Sequence, residues 1–122
     1  MTTTILPTTN QAWGYWGSMG YTTADQNQAW ALATTAIAKA TGGTPEAVRT
    51  FLDSRQGRHF ADDVASELFN GRTLAEAVDA AVATWMAWKI DKQTQREYGI
   101  PRGLPYLTGW VIYHQIQAEM TE

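Results

Sequence analysis

The chain predicts an all-α fold, a compact single-domain bundle of five to six helices. Apolar residues recur three and four apart along most of its length, the period of helices buried on one face. Helix start and stop signals (Thr caps, Pro, Gly) punctuate those runs in regular order. No run reads as a strand: Val111-Ile112-Tyr113 has β-preferring residues but continues into the helix-forming Gln115-Ile116-Gln117-Ala118-Glu119.

Residues 1–22 form a Thr-, Gly- and Trp-rich segment in which a short helix from about Asn10 to Ser18 competes with three glycines. Residues 23–120 supply the helical core. Thr23 with Gln26 has the form of a capping box. Trp30, Ala33, Ile37 and Ala40 then repeat at helical spacing up to Gly42-Gly43, a natural stop. Thr44-Pro45-Glu46 is a second start, a cap followed by proline and an acid in the first turn, and Val48, Phe51 and Leu52 form that helix's apolar face. Gly57 reads as another break. A helix over about Arg58–Phe69 follows, with Phe60, Val64 and Leu68 on one stripe, and Asn70-Gly71 ends it. Thr73 and Glu76 form a capping box for the longest helix, about Leu74 to Tyr98. Its stripe of Leu74, Val78, Ala81, Trp85 and Trp88 predicts a central, buried position, with Trp30, Ile37, Phe60, Val64 and Trp110 around Trp85. Its second half, Asp91–Glu97, is polar all round and is expected to project or fray. Gly99–Pro105 is a stiff loop. The last helix, from about Tyr106 or Thr108 to Met120, carries Trp110, Tyr113 and Ile116 on its apolar side.

A chain of 122 residues with 44% hydrophobic and 11% aromatic residues can bury a real core without staples. It has no cysteine, which removes disulfides, thiol nucleophiles and thiolate zinc sites. The first residues lack the basic start and apolar run of a signal peptide, and no stretch approaches the ~20 apolar residues that span a bilayer. A cytoplasmic setting without membrane attachment is the expectation. A net charge of −3 argues against a general polyanion binder, which is ordinarily basic, and against a phosphate mimic, which is ordinarily far more acidic.

Charge is concentrated in Ser54-Arg55-Gln56-Gly57-Arg58-His59-Phe60-Ala61-Asp62-Asp63, with two arginines, one histidine and two aspartates in ten residues. On a helix, His59, Asp63 and Glu67 fall four apart on one face. As a catalytic group they would be acid–base or metal-ligating residues, with Arg55 and Arg58 clamping an anion. A solvated corner accounts for the same residues, through acids near a helix start and surface pairs Arg58–Asp62 and His59–Asp63. The second histidine, His114, is not brought nearby by any sequence signal. The motifs of phosphate loops, dinucleotide folds and nucleophile elbows are absent, so no cofactor is expected.

Two further features bear on binding. Ala38, Gly42, Val48 and Phe51 resemble the small residue, turn glycine and apolar anchors of the helix-turn-helix motif over residues 34–53, with Arg49 and Thr50 on the reading helix. Gly43 stands where that motif carries an apolar residue, and Glu46 and Asp53 keep the reading face from being basic. Trp13, Tyr15, Trp16 and Tyr106 lie in or beside Gly- and Pro-rich segments, where aromatics serve recognition surfaces or act as lids on a small core.

Trp13–Gly20, Phe51–His59 and Gly99–Tyr106 together resemble a group of small uncharacterised bacterial proteins encoded on plasmids and other mobile elements. That resemblance implies a context, accessory proteins that bind host proteins or handle nucleic acid, and assigns no activity to any residue. The function expected is a non-catalytic binding module acting on a protein partner, as a mobile-element accessory or inhibitor. The alternatives are a helix-turn-helix-like nucleic-acid binder and a small metal-dependent or acid–base enzyme centred on His59.

Overall fold

The computed structural model describes Trp16 and residues 20–120. The described chain is all-α. Its helices are α1 (Thr23–Thr41), α2 (Pro45–Leu52), α3 (Arg55–Phe69), α4 (Leu74–Ala87), α5 (Lys92–Tyr98) and α6 (Tyr106–Met120). Most of the helix expected over Asn10–Ser18 lies outside the described residues.

Local chemistry explains most helix ends. Thr44 caps α2 by accepting the Ala47 N–H at 3.1 Å, and Pro45 occupies the first turn, where no N–H is needed. Thr73 and Glu76 close the expected capping box of α4, with reciprocal bonds of 3.2 and 2.9 Å. α1 differs by one residue. Its box is Thr22 with Asp25, both bonds 3.0 Å, not Thr23 with Gln26. A carboxylate at the third helical position accepts the cap's N–H more strongly than an amide does and complements the helix dipole. The Gln26 amide instead donates to the Tyr21 carbonyl.

Gly57 does not break the chain. α3 begins two residues earlier at Arg55, capped by Ser54, which accepts the Gly57 N–H. Glycine serves close packing here: a Cβ at position 57 would sit 2.3 Å from the carbonyl oxygens of both Phe51 and Leu52. The C-terminus of α2 therefore lies directly on the first turn of α3.

α4 ends at Ala87, eleven residues short of the expected Tyr98. Trp88 turns extended (φ −74°, ψ 151°). Residues 88–90 then pair with residues 103–106: Ile90 N–H to Leu104 O at 2.8 Å, Gly103 N–H to Ile90 O at 3.0 Å and Tyr106 N–H to Trp88 O at 2.7 Å. This clasp closes the chain between α4 and α6 and buries Ile90 and Ile100. Asp91 then caps α5, accepting the Thr94 N–H at 2.7 Å. What the clasp gains over a straight helix is the burial of Ile90 and Ile100 with their backbone groups satisfied. α5 itself buries no residue.

The core joins α1–α4, α6 and the clasp. Trp30, Ile37, Phe60, Val64, Trp85 and Trp110 are all buried. The short α2 shares the centre with α4: its Ala47, Val48, Phe51 and Leu52 are buried, and it packs on α1, α3 and α6. Trp88, expected in the core, is 48% exposed because its backbone has left the helix. Trp16, expected either on a recognition surface or as a lid on the core, is fully buried, its ring 5.1 Å from that of Tyr21. Among the described residues no helix is long and apolar enough to cross a membrane.

Candidate functional site

The polar joint disperses. Arg55, Arg58 and His59 are exposed on the first turns of α3. Asp63 and Glu67 share the predicted face, yet neither engages His59. The Asp63 Oδ2 accepts the Trp85 indole N–H at 2.7 Å, tying α3 to α4. Glu67 takes the Arg72 guanidinium at 2.6 Å, on the turn after α3. No group of three or more potential metal-ligating side chains is assembled among the described residues. Both partners lay beyond the reach of local spacing: Arg72 follows a helix end, and Trp85 is on the next helix.

α2 turns its apolar face inward, leaving Glu46, Thr50 and Asp53 exposed with Arg49 half-buried. Thr50 donates its hydroxyl to the Glu46 carbonyl of its own helix. Two carboxylates flank Arg49, so this face is not the basic surface that phosphate contacts draw on. Trp13 and Tyr15 lie outside the described residues.

Tyr106 is half-buried and belongs to a closed circuit of rings: Phe51–Trp85 (6.0 Å), Trp85–Tyr106 (5.2 Å), Tyr106–Trp110 (6.0 Å), Trp110–His114 (6.3 Å) and His114–Phe51 (6.2 Å). The circuit joins α2, α4 and α6, and each edge-to-face pair within it contributes beyond simple burial. His114 is thus packed among aromatics, with its Nε2 3.3 Å from Gln56 Oε1 on α3. Burial holds its pKa below the ordinary imidazole value. The Trp110 indole N–H is buried with no hydrogen-bond acceptor among the described residues.

Among the described residues the most distinct exposed apolar surface is on α6. Its inner face is Leu107, Trp110 and Val111. A second stripe, Ile112, Ile116 and Met120, runs four apart along the outer side, with Ile116 47% and Met120 73% exposed. Ile116 therefore does not share the packed side of Trp110, as its spacing suggested. Beside the stripe, Tyr98, Ile100, Pro101, Ile112, Tyr113 and Ile116 line a cleft of ≈ 130 Å³. The four-residue repeat 112–116–120 was visible in the sequence. That α6 carries two apolar faces, only one of them covered by described residues, was not.

Comparison with protein-family models, curated proteins and solved structures finds no match for this chain.

Proposed function

We propose that the protein is a non-catalytic binding module that engages a protein partner through the outer face of α6. The observation that carries this reading is the uncovered stripe Ile112–Ile116–Met120 beside the apolar cleft at Tyr98 and Ile100. Apolar side chains aligned along one helix and bordered by a cleft are suited to take the hydrophobic anchors of a partner segment. Support over a catalytic reading comes from Asp63 and Glu67 being bonded to Trp85 and Arg72 rather than to His59. The resemblance to mobile-element proteins fits a module whose partner is a host protein.

The test is capture of a stoichiometric partner from cell lysate by the immobilised protein, with Ile116→Glu and the control Thr35→Glu alongside. Thr35 is exposed on α1. The reading expects a partner held by wild type and Thr35→Glu and reduced at least about tenfold with Ile116→Glu, since a charge desolvated in an apolar contact costs more than the ~1.4 kcal/mol that tenfold requires. A partner held equally by all three would refute the α6 face, and no stoichiometric partner would refute the function.

A further inference from the structure

A second recess lies between α3 and α4, away from the α6 cleft. It has a volume of ≈ 180 Å³ and is lined by Asp63, Ser66, Glu67, Ala81, Thr84 and Trp88. Its walls differ in kind. On the α3 side stand two carboxylates four residues apart, each with one oxygen engaged: Asp63 Oδ2 by the Trp85 indole and Glu67 Oε1 by Arg72. Ser66 adds a hydroxyl between them. On the α4 side is the half-exposed indole of Trp88.

That indole is held in place. The Trp88 backbone N–H donates to the Thr84 carbonyl, and the Trp88 carbonyl accepts the Tyr106 N–H. Its ring rests against Trp85 and Tyr106, each 5.9 Å away. An aromatic face fixed beside carboxylates attracts a cation over the ring while the acids take its hydrogen bonds. A planar guanidinium satisfies both demands at once: it stacks on indole and presents a rigid fork of N–H donors. An ammonium is a compact, strongly hydrated point charge that stacks poorly. The lining side chains themselves carry no positive charge; Arg72 offsets one charge at Glu67 Oε1, which leaves the Asp63 carboxylate, aimed by the Trp85 bond, as the principal attraction for a cation.

We propose that the α3–α4 recess is a binding site for an arginine side chain of a protein partner, its guanidinium stacked on Trp88 and forked onto Asp63 and Glu67. The inference rests on the reading of the protein as a binding module, but it concerns a different face from the α6 stripe.

The probe is N-acetyl-arginine methylamide, titrated at constant ionic strength and followed by the indole N–H resonances of Trp85 and Trp88. Saturable shifts of both signals at millimolar concentration are the expected result. The affinity, read at Trp85 alone in Trp88→Ala, should weaken at least fivefold with Trp88→Ala and with Asp63→Asn. The asparagine carbonyl can still accept the Trp85 N–H, so the fold is kept while the charge is removed. N-acetyl-leucine methylamide should produce no saturable shift, and the lysine analogue should bind more weakly than arginine. Linear shifts, shifts that persist in Trp88→Ala, or equal binding of the leucine or lysine analogue would overturn the proposal. Ile116→Glu should titrate like wild type, so failure here and failure of the α6 reading are separate results.

Discussion

At the scale of single residues, Trp85 links more parts of the molecule than any pattern along α4 announces. Its ring meets Phe51, Phe60, Trp88 and Tyr106, and its indole N–H holds Asp63 of α3. Trp85→Ala is expected to cost about 3–5 kcal/mol, the range for truncating a large buried ring. Trp85→Phe keeps most of the packing but leaves the Asp63 oxygen without its donor, for about 1–3 kcal/mol. Denaturant titration of both variants measures this, and near-wild-type stability of Trp85→Ala would place the core on another face. His114 gives a pH dependence. Burial lowers its folded-state pKa below the ordinary value of 6.5, so the unfolded chain binds the proton more readily. The contribution is complete above about pH 6.5 and is lost as pH falls from there to the folded-state pKa. His114→Phe should flatten that part of the stability–pH curve. An unchanged slope would show that other groups carry it. Neither contact was legible beforehand: Asp63 and Trp85 are 22 positions apart, and His114 and Gln56 are 58.

At the scale of elements, signals confined to one turn were legible and those settled by distant chain were not. Thr44-Pro45, Thr73 with Glu76, Gly42 and Asn70-Gly71 mark real helix ends because the bonds they make are local. The end of α4 is different. Trp88 leaves the helix because its carbonyl is wanted by the Tyr106 N–H, far along the chain, and the alternation of Leu74 to Trp88 carries no trace of that. Asp91, a good cap ahead of Lys92, was the one local hint. Gly57 misleads in the opposite direction: glycine suggests a break, yet here it is the only residue small enough for α2 to abut α3. On helix propensity alone Gly57→Ala would stabilise by about 1 kcal/mol. The 2.3 Å approach to two carbonyl oxygens reverses the sign, and a net loss of at least about 1 kcal/mol is expected from overpacking. Thermal unfolding decides it, and a more stable alanine variant would mean the corner yields.

At the scale of the whole molecule, the architecture was legible because one apolar cluster must close over every long helix. Trp30 and Ile37 of α1, Phe51 of α2, Phe60 of α3, Val78 of α4 and Val111 of α6 meet in it. The exposed apolar surfaces were not legible, since helical spacing assigns apolar residues to faces without saying which face finds a neighbour; Ile116 and Trp88 show this in opposite ways, one on a second stripe and one freed by a helix end. A shared core predicts one cooperative transition, with denaturant curves from helical circular dichroism and from tryptophan emission superimposing. Separated midpoints would mean that part of the bundle unfolds independently. The aromatic circuit also governs how the protein handles light. Tyr21 lies 5.1 Å from Trp16, Tyr98 4.9 Å and Tyr113 5.6 Å from Trp110, and Tyr106 5.2 Å from Trp85. At such separations an excited phenol passes its energy to the adjacent indole before it can radiate. Emission from these four tyrosines is therefore expected to be quenched while the bundle is intact and to rise when it opens, which would give the native chain its own unfolding reporter without an attached dye.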